Sequence, residues 1–596
     1  MKRFNLLFDS WIPVKTRQER SRPPIKAYEI VQKDIIGLDA PRADFNAALM
    51  QFLIGLLQTV LAPKNPKEWR ILFNQPPSED ELKGKFAEIK DAYYLNGDGY
   101  RFMQDPIATR TGEEPRPIEE MIFGAPSESG KEKNQDYFVK KSDIAGLCYS
   151  CAISALLVAN ILAEDGGRGY FQSMRGNGFV SCLVQLVDYQ LEKSLWRDLW
   201  LNIIDANTTA IIDSRKNFYW IKDLPDKPYI EKLESITSDI NDLKIEKKKT
   251  LSDGLKKEID AKIKQLEIEI KRNKKEIDRL SDKKIVYPEK GSLQVYWAWM
   301  RRFFLDTSNT LKGQCSVCRK NDELVSHFYK TGKGYKYPKE IWQNAHPFSP
   351  SRKYQRDQYD KNTLKYKDKM LAIEMTQNGL PYTYWQDFFI QTETQTPAKV
   401  VHRHLKENYS GKQLIIWSFG YAMDSNSPMG WYESKTPLYL IYNKEQRQIF
   451  ESEINKYIQA SNKIGNSRGG YLNTAIKSAW FGESKEKNKD KKKAFNNDRG
   501  TEIAKSFWSN TENKFYELIK KLYDSSHKLT DEERFKLKRD WYRHIKDEAT
   551  KLFNLWAFKS SIQTNPRRIA EAHDKFLINL NSKSLKQDIL GLLKED

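Results

Sequence analysis

The chain has 596 residues, of which 39% are apolar and 12% aromatic, so a globally disordered protein is excluded and more than one domain is expected. Lysine and arginine outnumber aspartate and glutamate by 100 to 80, which gives a formal net charge of +20. This surplus favours a polyanionic partner, although scattered surface lysines in an ordinary basic protein give the same total.

The N-terminal part begins with a short apolar run that Asp9 and Ser10 interrupt at once, which is not typical of a secretion signal. Residues 5–14 are predicted to form a short strand. Residues 40–61 are predicted to form the first strong helix, because apolar side chains recur there at helical spacing. No uninterrupted apolar stretch reaches the ~18 residues that a membrane span requires. We therefore expect a cytoplasmic protein that has no membrane segment.

The middle of the chain contains an apolar helix predicted over residues 151–162 and a strand over 179–189. Residues 228–284 differ from the rest, because isoleucine and leucine recur there at heptad-like spacing with lysine and glutamate between them. A turn signal, Ser-Asp-Gly at 252–254, interrupts the repeat once. The pattern predicts an inserted antiparallel coiled-coil hairpin at 228–284. A hairpin that docks on a partner and a solvated spacer both fit it.

The C-terminal part is predicted to be almost wholly helical from residue 442 onward, apart from a lysine-dense loop at 485–493. Thr530 and Glu533 form a capping-box pattern that opens a long helix, and Pro566 falls in the first turn of the last helix. Long helices joined by short links predict a helical bundle. The predicted fold class is α+β, with an N-terminal domain over 1–440 and a helical domain over 441–596.

The cysteines give the strongest motif. Four of the five form two pairs, Cys148 with Cys151 and Cys315 with Cys318, each separated by two residues. Two such pairs build a four-thiolate zinc site, which has no open coordination position and is therefore structural. Two separate reduced turns and a redox dithiol are the alternatives. Cys182 stands alone in an apolar segment, which is typical of a core residue.

Two further segments have residues suited to nucleic acid. Residues 166–170 read Gly-Gly-Arg-Gly-Tyr and 174–178 read Met-Arg-Gly-Asn-Gly, which is not a nucleotide-binding fingerprint. Bare backbone flanked by arginines suits close approach to a phosphate backbone or a minor groove, with a plain turn as the alternative. Lys330 and Lys333 stand in a run with tyrosines that resembles a hairpin able to reach phosphates or bases. An exposed hairpin without a ligand is the alternative.

Candidate catalytic residues are few. His402 and His404 form an HxH pattern without an acidic metal-binding motif nearby. His346 follows the second cysteine pair but lacks the second histidine and the asparagine of a nuclease zinc finger, which favours a structural role. Serine-elbow, kinase and HExxH patterns are absent from the sequence. The sequence therefore favours a binding protein over an enzyme, with a zinc-containing nuclease and a pure scaffold as the alternatives.

Several motifs taken together resemble one family, CasA, the large subunit of the type I-E CRISPR surveillance complex Cascade. The resemblance spans most of the chain and leaves out the hairpin at 228–284. The motifs occur in the family's order and are residues 5–14 (Asn-Leu-Leu-Phe-Asp-Ser-Trp-Ile-Pro-Val), 102–104 (Phe-Met-Gln), the two cysteine pairs with the glycine loop, 346–350 (His-Pro-Phe-Ser-Pro), 420–424 (Gly-Tyr-Ala-Met-Asp) and 431–433 (Trp-Tyr-Glu).

The resemblance implies a mixed N-terminal domain with a four-cysteine zinc knuckle and a C-terminal four-helix bundle. It implies a non-catalytic subunit that recognises the protospacer-adjacent motif (PAM) in double-stranded DNA from the minor groove. The subunit would then start strand separation for R-loop formation and recruit a helicase–nuclease. Its partners would be the other Cascade subunits, the 5′ handle of the guide RNA, the target DNA and the helicase–nuclease. A minor-groove reader separates little more than A·T from G·C, so tolerant recognition is expected.

The same resemblance implies four groups of site residues: a glycine loop, a lysine finger, a wedge and a contact to the guide-RNA handle. The first three fall on Gly167, Arg168 and Gly169, on Lys333 with Lys330 as the alternative, and on Asp424, Ser425 and Asn426. The handle contact falls before the first cysteine pair, on Phe138, Lys140 and Lys141, with Phe138 as the stacking residue.

Overall fold

The computed structural model describes most of the chain, and the chain divides into two compact units. The first comprises Met1–Met375, Glu393–His404 and Asn408–Leu438, and the second comprises Thr376–Thr392, Leu405–Glu407 and Tyr439–Asp596. The second unit thus includes two short segments that precede the boundary expected at 440. Outside the described residues are 1–2, 19–21, 111–113, 126–143, 163–170, 206–216, 222–226, 281–283, 289–292, 355–365, 378, 407–409, 425–426, 468, 483–494, 496–498, 525–529, 560–564 and 593–596.

Helices and strands are both present, as the predicted α+β class requires. The described α-helices are α1 Ala43–Val60, α2 Pro66–Asn74, α3 Glu79–Ala87, α4 Tyr149–Ile161, α5 Leu195–Trp200, α6 Lys227–Lys249, α7 Asp253–Arg279, α8 Lys339–Trp342, α9 Trp385–Phe389, α10 Lys399–Lys406, α11 Lys444–Gly465, α12 Tyr471–Phe481, α13 Arg499–Asp524, α14 Asp531–Ala557 and α15 Pro566–Leu580. The described strands are β1 Val14–Thr16, β2 Ile35–Leu38, β3 Arg116–Pro117, β4 Leu147–Cys148, β5 Ser181–Leu186, β6 Arg301–Leu305, β7 Leu311–Gln314, β8 Asn321–Val325, β9 His327–Lys333, β10 Ser351–Lys353, β11 Met370–Ala372, β12 Gln395–Thr396, β13 Leu414–Asp424 and β14 Ser427–Leu438.

Helix α1 lies in the core of the first unit. The ring of Phe52 lies 5.7 to 6.2 Å from the rings of Trp11, Tyr93, Phe102 and Trp297, so one helix gathers aromatic residues from distant parts of the chain. By length and composition α1 could cross a membrane, but 89% of it is buried inside the fold. That burial makes α1 a core helix.

The described strands form small antiparallel sheets, and three of these position the candidate site. Their strand orders are β4–β8–β7, β3–β9–β6 and β14–β13–β5. The first includes Cys148 and the connection that contains Cys315 and Cys318, the second carries Lys330 and Lys333, and strand β13 of the third ends at Asp424. Short sheets that share connections give each candidate loop a fixed base in the same unit.

Two local predictions are wrong. Residues 5–14 do not form a continuous strand, because the N–H groups of Phe8 and Asp9 bond to the carbonyl of Asn5 and close a turn there. Residues 330–337 do not fold back as a hairpin, because β9 runs straight to Lys333 as part of a sheet. Gly334 lacks the positive φ that a tight hairpin turn requires, and a Cβ there would lie 2.6 Å from the carbonyl of Met300.

The hairpin predicted at 228–284 is confirmed as α6 and α7. Ion pairs join Lys232 to Glu269 at 2.7 Å and Lys247 to Asp260 at 2.5 Å, so the two helices run antiparallel. The seam buries isoleucines at the heptad positions, including Ile236 of α6. The pattern was readable because the helices mainly pack on each other.

The second unit is helical, as predicted. Its described residues contain four longer helices, α11, α13, α14 and α15, with the shorter α12 beside them and a π-helical turn at Ser584–Ile589. The capping box is present, with Thr530 Oγ1 accepting from the N–H of Glu533 at 3.2 Å. In the core of this unit, the ring of Tyr382 stacks on Phe515 with their centroids 4.2 Å apart.

Candidate metal centre and nucleic-acid interface

The four paired cysteines meet at one point, which we call the knuckle. Their Sγ atoms all lie within 4.8 Å of one another, and Cys148 Sγ is 3.6 Å from Cys318 Sγ. Four thiolates at about 2.3 Å from a tetrahedral zinc stand about 3.8 Å apart, so this set of donors fits the metal. The thiols are not joined as disulfides. The prediction that both pairs share one site able to hold a metal ion is confirmed.

Local structure explains how the cysteines converge. Cys148 ends β4 and begins α4, so that Cys151 follows one helical turn later. Cys315 and Cys318 lie in the connection between β7 and β8, and β8 pairs with β4. The backbone N–H of Cys148 donates to Cys315 Sγ at 3.4 Å, which links the two halves directly.

The thiols also act on each other's ionisation. Hydrogen bonds from Cys148 and Cys151 lower the pKa of Cys315, and they lower the pKa of Cys318 to about 7. A lowered pKa favours the thiolate, which is the form that binds metal. Hydrogen bonds within the same cluster raise the pKa of Cys148 and Cys151, so the thiolate form is favoured at only one of the two cysteine pairs.

The glycine loop begins where α4 ends. Gly167, Arg168 and Gly169 lie in 163–170, outside the described residues, but Phe171 directly after them is described. Its carbonyl accepts from Arg301 Nη1 at 3.1 Å, and Lys336 Nζ lies 5.8 Å above its ring. The return of the loop is therefore fixed against β6 and the chain that follows β9.

The lysine-bearing strand ends at the same place. Lys333 at the end of β9 is paired in register with Arg301, the residue that holds Phe171, whereas Lys330 is paired with Phe303 further into the sheet. Asn160, one residue before the end of α4, accepts from the N–H groups of Met300 and Arg301, both at 3.1 Å. One buried amide thus ties the end of the helix to the start of β6.

Asp424, the first of the wedge candidates, is the last residue of β13, and β14 begins at Ser427. The register pairs Asp424 with Ser427, and Ser425 and Asn426 between them lie outside the described residues. Asp424 is exposed. The base of this strand is held in place, because the Tyr421 hydroxyl donates to Asp44 Oδ2 at 3.0 Å.

Gly178 connects the wedge strand to the glycine-rich segment. Its φ is +62°, and a Cβ there would lie 2.8 Å from the carbonyl oxygen of Tyr421 and 2.7 Å from Met423 Cγ. Only glycine fits that conformation at that distance. Residues 171–178 therefore contact β6 at one end and β13 at the other. We call the described residues around these two contacts, from Phe171 and Lys333 to Gly178 and Asp424, the reading end.

Arg175 lies in the same segment but does not face a ligand. It is only 5% exposed, and its guanidinium donates to Ser181 Oγ at 2.9 Å and to Gln51 Oε1 at 3.0 Å. Burial lowers its pKa well below the usual value. The expectation that this arginine flanks a phosphate is wrong, because partners distant in sequence draw it into the core.

His346 is also part of the core. It is buried, its Nδ1 accepts from the N–H of Phe348 at 3.2 Å, and its pKa is lowered by burial and by the nearby charges of Arg175 and Lys399. The burial of this imidazole argues against the alternative in which His346 serves a zinc-containing nuclease. The structural role expected for His346 agrees with its packing.

Strand β6 is held from a second side by the motif at 102–104 and the residue after it. Gln104 Oε1 accepts from the N–H of Leu305 at 2.9 Å, and Arg302 Nε donates to Asp105 Oδ2 at 2.6 Å. Arg302 is fully buried, so this ion pair is shielded from water. The motif that contributed to the family resemblance therefore positions the strand on which the reading end is built.

Sequence reasoning missed three residues of the reading end: Asn160, Arg301 and Lys336. Asn160 was detectable as a single polar residue in the most apolar stretch of its helix. Arg301 and Lys336 gave no such signal, because their roles depend on chain pairing between distant segments. The handle candidates Phe138, Lys140 and Lys141 lie in 126–143, outside the described residues.

A sequence model described as CRISPR-associated protein Cse1 matches residues 5–552. Solved structures of similar fold include CasA of Thermus thermophilus, with a TM-score of 0.64 and 14% identity over 97% of this chain and 99% of that chain. Cse1 of Acidimicrobium ferrooxidans has a TM-score of 0.58 and 14% identity over 97% and 98% of the two chains. A chain of a structure described as a CRISPR RNA-guided surveillance complex has a TM-score of 0.59 and 14% identity over 98% and 100%.

At these identities the structural matches establish the fold, and the family rests on the sequence model. That model covers nearly the whole chain, including both cysteine pairs and the segments that build the reading end. The protein therefore belongs to the CRISPR-associated protein Cse1 family.

Proposed function

We propose that this chain is the large subunit of a type I-E Cascade complex and that it reads the PAM of double-stranded DNA from the minor groove. The reading residues are Gly167, Arg168 and Gly169, with Lys333 as the finger and 424–426 as the wedge. The observation that supports this is that one short segment contacts β6 beside Lys333 through Phe171 and contacts β13 near its end through Gly178. As a Cse1 protein, the chain is a structural subunit of the complex and not an enzyme.

The chemistry of the reading end suits a minor groove. Backbone without side chains can approach the groove floor, and a lysine or arginine is drawn to its negative potential. A small wedge beside them would unstack the first base step and so start the R-loop. Lys333 is favoured over Lys330 as the finger, because its backbone lies next to the glycine-loop return.

Zinc is the metal that we propose for the knuckle. Cys148, Cys151, Cys315 and Cys318 would hold it, and four thiolates leave no coordination position for a substrate. When bound, the metal cross-links the start of α4 to the β7–β8 connection. Its role is structural: it fixes the base from which α4 and β9 extend toward the reading end.

The remaining partners follow from the same proposal. The other Cascade subunits and the 5′ handle of the guide RNA would contact this chain, the handle through Phe138, Lys140 and Lys141. The similar chain described as part of an RNA-guided complex supports this assignment. The helicase–nuclease would be recruited after strand separation, and the complex would act in the cytoplasm.

The test uses the full chain assembled with guide RNA and its partner subunits. Binding is measured on a duplex target with the correct PAM and on one with a mutated PAM. We call the affinity for the correct PAM divided by the affinity for the mutated PAM the PAM ratio. This ratio should fall by roughly tenfold or more in Lys333→Ala, and separately in the double variant Gly167→Val and Gly169→Val, with assembly unchanged.

Lys330→Ala is the matched control, because it removes the same charge from the same strand. It should change the PAM ratio much less than Lys333→Ala. If the PAM ratio stays at the wild-type value in the Lys333 and glycine variants, the chain is a scaffold with respect to DNA and the proposed function fails.

A further inference from the structure

The α6–α7 hairpin is rooted beside the reading end. After α7 the chain pairs with the segment that follows β9, where the N–H of Lys336 donates to the carbonyl of Lys284 and the N–H of Val286 donates to the carbonyl of Lys336, both at 2.9 Å. Lys336 follows Lys333 by three residues, and its ammonium lies over Phe171. The base of the hairpin and the proposed lysine finger therefore belong to one local structure.

Charge is distributed unevenly along this hairpin. Residues 244–264, which form the end away from the root and are called the tip here, contain eight lysines and four acidic residues. The root half, residues 227–243 and 265–279, contains seven basic and eight acidic residues. The positive surplus of the hairpin is therefore concentrated at its tip.

Most of the tip lysines have no ion-pair partner among the described residues. Lys247 is paired with Asp260 and Lys256 with Asp253. The exposed tip lysines for which the described structure contains no carboxylate within ion-pair distance are Lys244, Lys248, Lys249, Lys257, Lys262 and Lys264. Lys244 and Lys248 are four residues apart, and so share one helix face. Unpaired lysines at this density are suited to a polyanion.

We infer that the hairpin tip binds the phosphate backbone of the duplex that flanks the PAM. This rests on the proposed function, which places duplex DNA at the root of the hairpin. Helices of 23 and 27 residues extend ~35 and ~40 Å at 1.5 Å per residue. That length corresponds to about 10 to 12 base pairs. Lysines on flexible stems contact phosphates without reading sequence, so the hairpin adds affinity and no specificity.

Three apolar side chains share the tip: Leu251 is 96% exposed, Ile245 51% and Leu255 43%. Phosphates do not require them, and a protein partner would bury them. The lysine surplus and the position of the root favour DNA as the occupant. A protein partner is the competing outcome that the experiment must separate.

The experiment compares two triple variants of the full chain in the assembled complex. The tip variant is Lys248→Gln, Lys249→Gln and Lys257→Gln, and the root variant is Lys271→Gln, Lys274→Gln and Lys275→Gln, which removes the same charge from exposed positions of the same hairpin. Each is measured on PAM-containing duplexes with ~3 and ~25 base pairs on the flanking side, over a series of salt concentrations. Helicity by circular dichroism checks that the hairpin stays folded.

The tip variant should bind the long-flank duplex more weakly than wild type, and the slope of log affinity against log salt should fall by up to ~3, at 0.9 per phosphate contact. On the short-flank duplex the tip variant and wild type should agree, and the PAM ratio should be unchanged on both. The root variant should behave as wild type throughout.

Equal losses in the tip and root variants, or a tip effect that does not depend on flank length, would overturn the inference. A tip variant that binds DNA normally but loses a protein partner of the complex would also overturn it. The wild-type PAM ratio tests the proposed function separately, so the failure of one proposal is not mistaken for the failure of the other.

Discussion

The knuckle and the reading end lie at opposite ends of the same two elements, and they are held by different chemistry. Helix α4 and strand β9 both start near the knuckle, and both finish where Asn160, Arg301 and Lys333 meet. At ~1.5 Å per residue for 13 helical residues and ~3.3 Å for seven strand residues, both span about 20 Å. Four thiols fix one end, and buried hydrogen bonds fix the other.

The difference shows that the two ends should respond differently to substitution. A metal-linked knuckle tolerates substitutions around it, because most of its stabilising free energy comes from the four bonds between metal and thiolate. The reading end depends on close packing: one amide, one arginine and one glycine with no room for a Cβ. Loss of metal should therefore loosen the whole structure, whereas changes at the reading end should act locally.

The largest effect should come from Cys318→Ser, which removes one of the four ligands. The wild-type chain should hold about one zinc, and the variant should lose most of it. The free energy of unfolding should fall by more than ~4 kcal/mol, because metal binding stabilises the folded state. Elemental analysis and urea unfolding measure both quantities.

Cys182→Ala is the control, since Cys182 is a buried cysteine of β5 that lies outside the knuckle. It should keep its zinc and lose only about 1 kcal/mol to the small cavity. A Cys318→Ser protein with wild-type zinc content would show that the cysteines do not share a metal.

The next largest effect is expected at the other end of α4. Asn160→Leu removes the acceptor for two buried N–H groups, those of Met300 and Arg301. Leaving two buried donors unpaired costs about 2 to 5 kcal/mol. The zinc content should not change, and the PAM ratio in the assembled complex should fall.

Ser154→Ala is the matched change on the same helix, because in the described part of the chain the Ser154 hydroxyl bonds only to the carbonyl of Ser150 within α4. Its effect on the free energy of unfolding should stay within about 1 kcal/mol. Equal losses from the two variants would mean that Asn160 has no special role in joining α4 to β6.

A smaller effect is expected from Gly178→Ala compared with Gly176→Ala. Both glycines have positive φ, but a Cβ at 178 meets the Tyr421 carbonyl at 2.8 Å, whereas the nearest atom to a Cβ at 176 is 3.7 Å away. Gly178→Ala should therefore lose about 1 to 3 kcal/mol more than Gly176→Ala in urea unfolding. Similar losses would mean that the contact with β13 does not constrain the segment.

The smallest effect is a dependence on pH. Because the pKa of His346 is lowered in the folded state, the unfolded chain takes up a proton first. The contribution of the neutral His346 side chain to the free energy of unfolding is therefore fully present above pH ~6.5. It is lost as the pH falls below that value, by up to about 1.4 kcal/mol per pH unit.

In His346→Gln the free energy of unfolding, measured with urea, should depend less on pH between about pH 6.5 and 5.5, while the zinc content stays constant. His573→Gln, at a half-buried position of α15, is the control. An unchanged slope in the His346 variant would place the acid sensitivity elsewhere in the chain.

The features that the sequence predicted correctly are those whose signal lies within a short stretch of the chain. The knuckle and the hairpin were predicted because their signals are local: two CxxC spacings and one heptad repeat. Arg175 was misjudged because its partners, Gln51 and Ser181, become neighbours only in the fold. The hairpin expected at Lys330 became a strand, since pairing with β6 outweighed the turn-like composition.

The reading end could be described only by combining the family resemblance with the structure. The family resemblance supplied the loops, but only the structure shows that the segment from Phe171 to Gly178 contacts β6 beside Lys333 and also contacts β13. Asn160 is the residue that sequence reasoning had the best chance to find, because an amide inside an apolar helix must be hydrogen-bonded somewhere.

The most direct test of the central claim compares the two ends by photo-crosslinking. A photoreactive residue is placed at Lys333, at the reading end, or at Lys320, which is exposed beside the knuckle, in the complex bound to PAM-containing duplex. Position 333 should crosslink to the base pairs of the PAM, and position 320 should not. Crosslinks to the PAM from 320 but not from 333, or from neither position, would contradict the account.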